Sequence, residues 1–166
     1  MSVLSPIPQA SYPATMVITR TVTVQVQPTI TASSAYVANN CVGGKLTFSN
    51  ILGQQQSGVV QNITVACKTA QTTGYKLYLF TANPSNTTIT DKATPTLSVL
   101  DLPNLVDVIT LGASDSTLTP TLNVADNIGR AVVSSTTNLY GILLATGTPT
   151  YTTNDAIFVT LTVLQD

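Results

Sequence analysis

The sequence contains no histidine, no tryptophan and no glutamate; all seven of its acidic residues are aspartate. Without histidine the chain lacks the commonest general base, the usual zinc ligand and every Ser-His or Cys-His catalytic pair. Charge is scarce as well: charged residues make up 8% of the 166, against roughly 25% in an ordinary globular domain. Six basic and seven acidic residues leave a formal net charge of −1. No field therefore exists to draw the chain onto nucleic acid or an anionic membrane, and neither is expected as a partner. The longest clean apolar run, about seven residues around Leu139–Ala145, is far below the roughly 18 needed to span a bilayer. This composition argues against an enzyme, implies no cofactor, and suits a surface meant to be covered by other protein.

Two cysteines allow one bridge at most, and a domain of this size does not depend on it. Cys41 follows Asn39 and Asn40 in a predicted turn, and Cys67 ends a strand-like run. Small buried thiols are the preferred reading over a disulfide, and two cysteines without further ligands predict no metal site. The segment Met1–Met16 has no positive n-region and contains Pro6, Pro8 and Pro13, so it does not read as a signal peptide. A soluble protein made in a cytoplasm is expected.

What the chain has in abundance is threonine, 30 copies, a β-branched residue that favours strands. Nine prolines and nine glycines are scattered among them, as in a protein of short strands joined by turns. Residues 1–15 read as an N-terminal arm, and residues 16–166 as a single β-sandwich domain. The clearest alternation is Met16–Val26, with Val22, Val24 and Val26 on one face and Thr21, Thr23 and Gln25 on the other. Further strands are predicted at Lys45–Ser49, Val59–Cys67, Tyr75–Thr81, Leu97–Leu100, Leu105–Leu111, Ile128–Ser134, Leu139–Ala145 and Ile157–Leu164. In the third of these nine, Val59, Ile63, Val65 and Cys67 are expected to face inward. Leu139–Ala145 is apolar on both faces and so predicted to be central. Nine strands separated by turn residues predict an all-β, two-sheet sandwich or barrel with a core that includes Ile63, Val65, Leu77, Leu79, Ile142, Leu144, Val159 and Leu161.

Candidate chemistry is thin. Asp101, Asn104 and Asp107 are spaced three apart and offer oxygen, but an EF-hand loop needs alternating acids, a central glycine and a terminal glutamate. These residues, with Asp91 and Asp115, read as solvated turn acids. Gly43-Gly44 lacks the downstream Lys-Ser/Thr of a phosphate loop and reads as a turn. Asn62-Ile63-Thr64 and Asn86-Thr87-Thr88 match the glycosylation triplet, which matters only in a secretory pathway. Tyr36, Phe48, Tyr75, Phe80, Tyr140 and Phe158 read as core aromatics, and no basic patch is interleaved with aromatics. No catalytic, cofactor or metal residues are assigned.

A series of short motifs runs in order along the chain. It begins with Pro28-Thr29-Ile30-Thr31-Ala32-Ser33-Ser34-Ala35-Tyr36 and Val42-Gly43-Gly44-Lys45-Leu46-Thr47-Phe48. It continues through Leu77-Tyr78-Leu79-Phe80-Thr81-Ala82-Asn83-Pro84, Thr90-Asp91-Lys92-Ala93 and Asp101-Leu102-Pro103-Asn104-Leu105-Val106-Asp107-Val108-Ile109. It ends with Leu139-Tyr140-Gly141, Gly147-Thr148-Pro149-Thr150-Tyr151 and Val163-Leu164-Gln165-Asp166. Their joint order, from about residue 27 to the end, resembles a family of small proteins of tailed bacteriophages and prophages: jelly-roll capsid cement, or decoration, proteins. One departure is that Asn40 stands where the family often carries aspartate.

The resemblance implies a jelly-roll-like sandwich and a structural virion protein, made in the bacterial host cytoplasm and bound to the capsid exterior. The implied partners are the major capsid protein and further copies of the chain, as a dimer or trimer. The arm fits such a role, because extended segments add to a partner's sheet edge, and Leu4, Ile7 and Tyr12 are the expected contact residues. The alternative is a tail, fibre or adsorption-type jelly roll that binds host glycans. It would expose aromatic platforms, for which Tyr12 and Tyr151 are among the few candidates.

Overall fold

The computed structural model describes residues 20–113, 120–154 and 156–166. The predicted arm, with Leu4, Ile7 and Tyr12, and the first four residues of the strand predicted at Met16–Val26 lie outside the described residues. Nine strands are described: β1 (Arg20–Val26), β2 (Leu46–Phe48), β3 (Ser57–Cys67), β4 (Tyr75–Phe80), β5 (Leu105–Leu111), β6 (Thr121–Ala125), β7 (Arg130–Val133), β8 (Leu139–Ala145) and β9 (Ile157–Gln165). One 3-10 turn, Leu102–Asn104, is the only helical element among the described residues, and no helix is long and apolar enough to cross a membrane.

The strands form two antiparallel sheets. The five-stranded sheet runs β1-β9-β3-β6, with β7 also paired to β3; the four-stranded sheet runs β2-β8-β4-β5. β6 lies along Ile63–Cys67 and β7 along Ser57–Val60, so together they act as one interrupted neighbour of β3. Most connections cross from one sheet to the other, and only β4–β5 and β6–β7 stay within a sheet. This is jelly-roll connectivity.

The alternation of the sequence places the core where it was expected, with one shift. Ile63, Val65, Leu77, Leu79, Val159 and Leu161 are fully buried between the sheets. At the other end of β3, however, Val60 is buried and Val59 is not, because the pairing with β9 slips between Val60 and Asn62. One extra residue in a strand reverses every side chain beyond it. A strict two-residue period therefore assigns Val59 to the wrong face.

β8 is buried on both sides, as its sequence predicts, between β2 and β4. Leu139, Leu143 and Ala145 enter the main core, while Ile142 and Leu144 form a second cluster with Cys41 and Phe80. That cluster lies on the outer face of the four-stranded sheet. The long β4–β5 connection covers it, packing Ile89 and Leu97 onto Phe80 and its neighbours. The two cysteines thus lie in different clusters and are both free and buried.

Two strand assignments differ from expectation. The strand predicted at Leu97–Leu100 is a turn: only a single bridge, Thr88 to Thr96, precedes it, and the Asp101 N–H donates back to the Ser98 carbonyl at 3.1 Å. β6 was not foreseen because its pattern is inverted. Thr121 and Asn123 are buried, while Leu122 is 50% exposed and Val124 38%. Asn123 is accommodated inside because its Nδ2 donates to the carbonyls of Thr73 at 3.0 Å and Gly112 at 2.5 Å.

Candidate functional site

Four acidic side chains, Asp91, Asp101, Asp107 and Asp126, are structural ties; Asp115, also expected in solvent, lies outside the described residues. Asp101, expected in solvent, is 3% exposed and accepts bonds from the Asn86 N–H and Nδ2 at 3.0 Å each and the Thr87 hydroxyl at 2.7 Å. Burial acts to raise its pKa, but the bonds from Thr87 and Asn86 outweigh it and hold the carboxyl below its ordinary value. Asp107 instead pairs with the Arg130 Nε at 2.8 Å, tying β5 to β7. Asn104 donates its N–H to the Asp101 backbone carbonyl. The trio considered for calcium therefore does not converge, and no three metal-ligating side chains come together among the described residues. Asp91, also expected to be solvated, accepts the Gly43 N–H at 2.7 Å, the Thr31 N–H at 2.8 Å and the Tyr36 hydroxyl at 2.8 Å. It pins the β1–β2 connection, where Gly43 bends the chain at φ +78° with Pro28 packed against it.

A buried polar chain runs through the core. The Tyr75 hydroxyl lies 3.3 Å from the Cys67 sulfur and 3.0 Å from the Tyr151 hydroxyl, and Tyr36 meets Tyr151 edge-on at 5.2 Å. Burial pushes all three phenols and the Cys67 thiol upward, so each stays protonated. Such groups cannot serve as bases near neutral pH. They rigidify the core. Tyr151 is fully buried and so cannot be the exposed aromatic platform that a glycan-binding role required of it.

The two concave sites described are open and carry little charge. One of about 220 Å³ is lined by Gln71, Thr72, Thr73, Gly147, Thr148 and Pro149. Another of about 460 Å³ lies between Arg20, Val22, Asn50, Gly53, Gln54, Thr137 and Gln165, with Arg20 its single charge. No aromatic residue is exposed among the described residues; Tyr78, Tyr140 and Phe158 are half-buried, the last two having been expected in the core. Of the two glycosylation triplets, Asn86 is bound to Asp101 and Asn62 to Asp126.

The surface is more distinctive than the concavities. On the outer face of the five-stranded sheet, the strand positions carry threonine, serine, glutamine, asparagine and apolar residues, and no charge. Row by row, Leu122 lies beside Ala66 and Phe158, and Val124 beside Thr64 and Thr160. Val133, 74% exposed, lies on the same face. The nearest charges sit at the margin: Lys68 with its ammonium 5.5 Å from the Phe158 ring, and Asp126 bound to Asn62. Inversion of β6 is what puts Leu122 and Val124 there.

A second apolar surface belongs to the layer that covers the other sheet. Val99, Leu100 and Leu102 are 76%, 69% and 45% exposed around the buried Asp101. Ser98 N–H donates to the Thr87 hydroxyl and Leu100 N–H to the Ser98 hydroxyl, so the turn is held from within. A carboxylate anchored inward thus presents three apolar side chains outward, a fixed knuckle whose order is already met before any partner arrives. The residues reasoning from sequence missed here are Leu100 and Leu122; the signal for the second was an apolar alternation whose inward partners are polar. No family model matches the chain, and no curated protein matches it in sequence.

Proposed function

We propose that this chain is a structural virion protein, a capsid cement protein that binds the outside of the major capsid shell and bridges neighbouring capsomers. The observation that carries the reading is the pair of uncharged, apolar-bearing surfaces on opposite layers of one sandwich: the outer face with Leu122 and Val124, and the knuckle of Val99, Leu100 and Leu102. A bridge needs two contact surfaces, and a protein covered on both sides needs few charges. Contacts of this kind are individually weak, and many copies on one lattice multiply them. Together with the ordered motif resemblance, this favours cement over a glycan-binding tail or fibre module, for which no exposed aromatic is available among the described residues. The arm, residues 1–15, adds Leu4, Ile7 and Tyr12 as further contacts with a neighbouring subunit or the shell.

The test uses particles that lack the protein. Purified protein is added, bound copies are counted by gel densitometry, and particle survival on heating is measured. Cement binds in numbers set by the capsid lattice, on the order of hundreds of copies, whereas a fibre module binds in tens. Burying Leu100 is worth about 1–2 kcal/mol per contact, so Leu100→Asp weakens each contact by about five- to thirtyfold. Leu122→Asp acts similarly, and both leave the fold intact because the side chains already face water. If wild-type protein binds no particles, the cement reading fails.

A further inference from the structure

The four sheet edges of the sandwich are not equally protected. β2 is three residues long, too short to template another strand. β5 is irregular, its pairing with β4 slipping at Leu79/Phe80, and its Asp107 is engaged by Arg130. β6 and β7 interrupt the third edge with a turn in which Asn127 and Gly129 adopt positive φ. β1 has none of these devices. It pairs with β9 through seven consecutive residues without a shift, contains no proline or glycine, and carries a single charge, Arg20, at its first position. Its other side has no strand beside it among the described residues. Exposed, regular, uncharged edges pair with other strands unless something prevents it.

The sequence of β1 says which strand fits. Arg-Thr-Val-Thr-Val-Gln-Val is near-palindromic in character about Thr23. We propose that β1 is the two-fold interface of a homodimer, in which β1 of one copy pairs antiparallel with β1 of a second to join the two five-stranded sheets. Centred on Thr23, this pairing sets Val22 of one copy opposite Val24 of the other, and Thr21 opposite Gln25. Each Arg20 falls opposite Val26, with the two arginines at opposite ends, so no like charges meet. Val22, Val24 and Val26, only half-buried against the core, gain apolar neighbours across the axis. On the outer face the polar ladder already formed by Thr23 with Thr162 at 3.1 Å, and Gln25 with Thr160 at 3.3 Å, continues into the second copy. A partner chosen for a charged or irregular strand would find nothing here to read; a second copy matches by symmetry. The dimer does not rest on the capsid reading and stands or falls apart from it.

An interface of one strand pair is small, so the dimer is expected to be weak, dissociating in the range of about 1–100 µM. Sedimentation velocity across that range tests it with the full chain and two variants of an exposed residue, Thr23→Lys and Thr23→Asp. Wild type should shift from monomer to dimer with concentration. Each variant alone should lose at least tenfold in self-affinity, because the two-fold sets like charges face to face. Mixing the two variants should restore a dimer, one copy of each, and circular dichroism should show all three proteins equally folded. A wild type that stays monomeric throughout overturns the proposal. So does an oligomer of any size that both variants form as well as wild type, which would lie on another surface.

Discussion

Replacing Asp91 by alanine removes one carboxylate and three bonds that hold the β1–β2 connection across the end of the sandwich. Two of those bonds, from the Gly43 N–H at 2.7 Å and the Tyr36 hydroxyl at 2.8 Å, are partly shielded from water; the third, from the Thr31 N–H at 2.8 Å, is exposed. A hydrogen bond to a charged acceptor is worth about 1.5–3 kcal/mol when shielded and under about 1 kcal/mol at the surface. Tyr36 is 1% exposed, so its hydroxyl has no ready access to water as a substitute. The expected loss is about 3–5 kcal/mol, which for a domain of this size lowers the melting midpoint by roughly 10–15 °C. Asp91→Asn keeps the shape and one acceptor but turns an NH₂ toward the donors, and should lose about 2–3 kcal/mol. Tyr36→Phe should cost about 1–2 kcal/mol in the wild type and much less beside Asp91→Ala, a coupling of at least about 1 kcal/mol. Urea denaturation gives all five stabilities, with unchanged slopes as the check that compactness is the same. The reasoning is refuted if Asp91→Ala lies within about 1 kcal/mol of wild type, or if the two losses simply add.

Acid should weaken the fold in part through Asp101. Its pKa is held below the ordinary 3.8, so its stabilising charge is fully present above that value and is lost as pH falls through the lower folded value. Melting curves of wild type and Asp101→Asn should therefore differ at neutral pH and converge in acid. Alkali should act through the buried thiols and phenols: burial raises Cys41 from 9.0 to about 11, and raises Cys67 and the hydroxyls of Tyr36, Tyr75 and Tyr151 as well. The unfolded chain ionises first, so stability falls as pH climbs from about 9 to about 11, and less steeply in Cys41→Ala. The same burial predicts almost no reaction with a thiol reagent in the native protein at pH near 8, and two thiols after unfolding in urea. Removing residues 1–15 should leave a folded domain, its circular dichroism unchanged, while lowering the number of copies bound to capsids; equal binding would make the arm dispensable.

Several elements of this fold are legible in the residues alone. Alternation of valine with threonine and glutamine marks β1, alternation of leucine with lysine and tyrosine marks β4, and apolarity on both faces marks β8 as interior. Each works because the side chains that alternate are apolar inside and polar outside, the condition under which period-two reading is valid. The absence of histidine likewise removes whole classes of catalysis before any fold is known.

Other features depend on what the chain meets in three dimensions. β6 obeys the same period with the sign reversed, since Thr121 and Asn123 face inward, and Asn123 finds the carbonyls of Thr73 and Gly112 there. The slip in β3 that buries Val60 is visible only against β9. Asp91 and Asp101 look alike as turn acids, and their partners lie at Thr31, Tyr36 and Gly43 for one and at Asn86 and Thr87 for the other. Local sequence reports the periodicity of burial. It does not report which donors topology brings to a carboxylate, and that is why the polar anchors, and the apolar knuckle one of them holds outward, were decided by the tertiary structure.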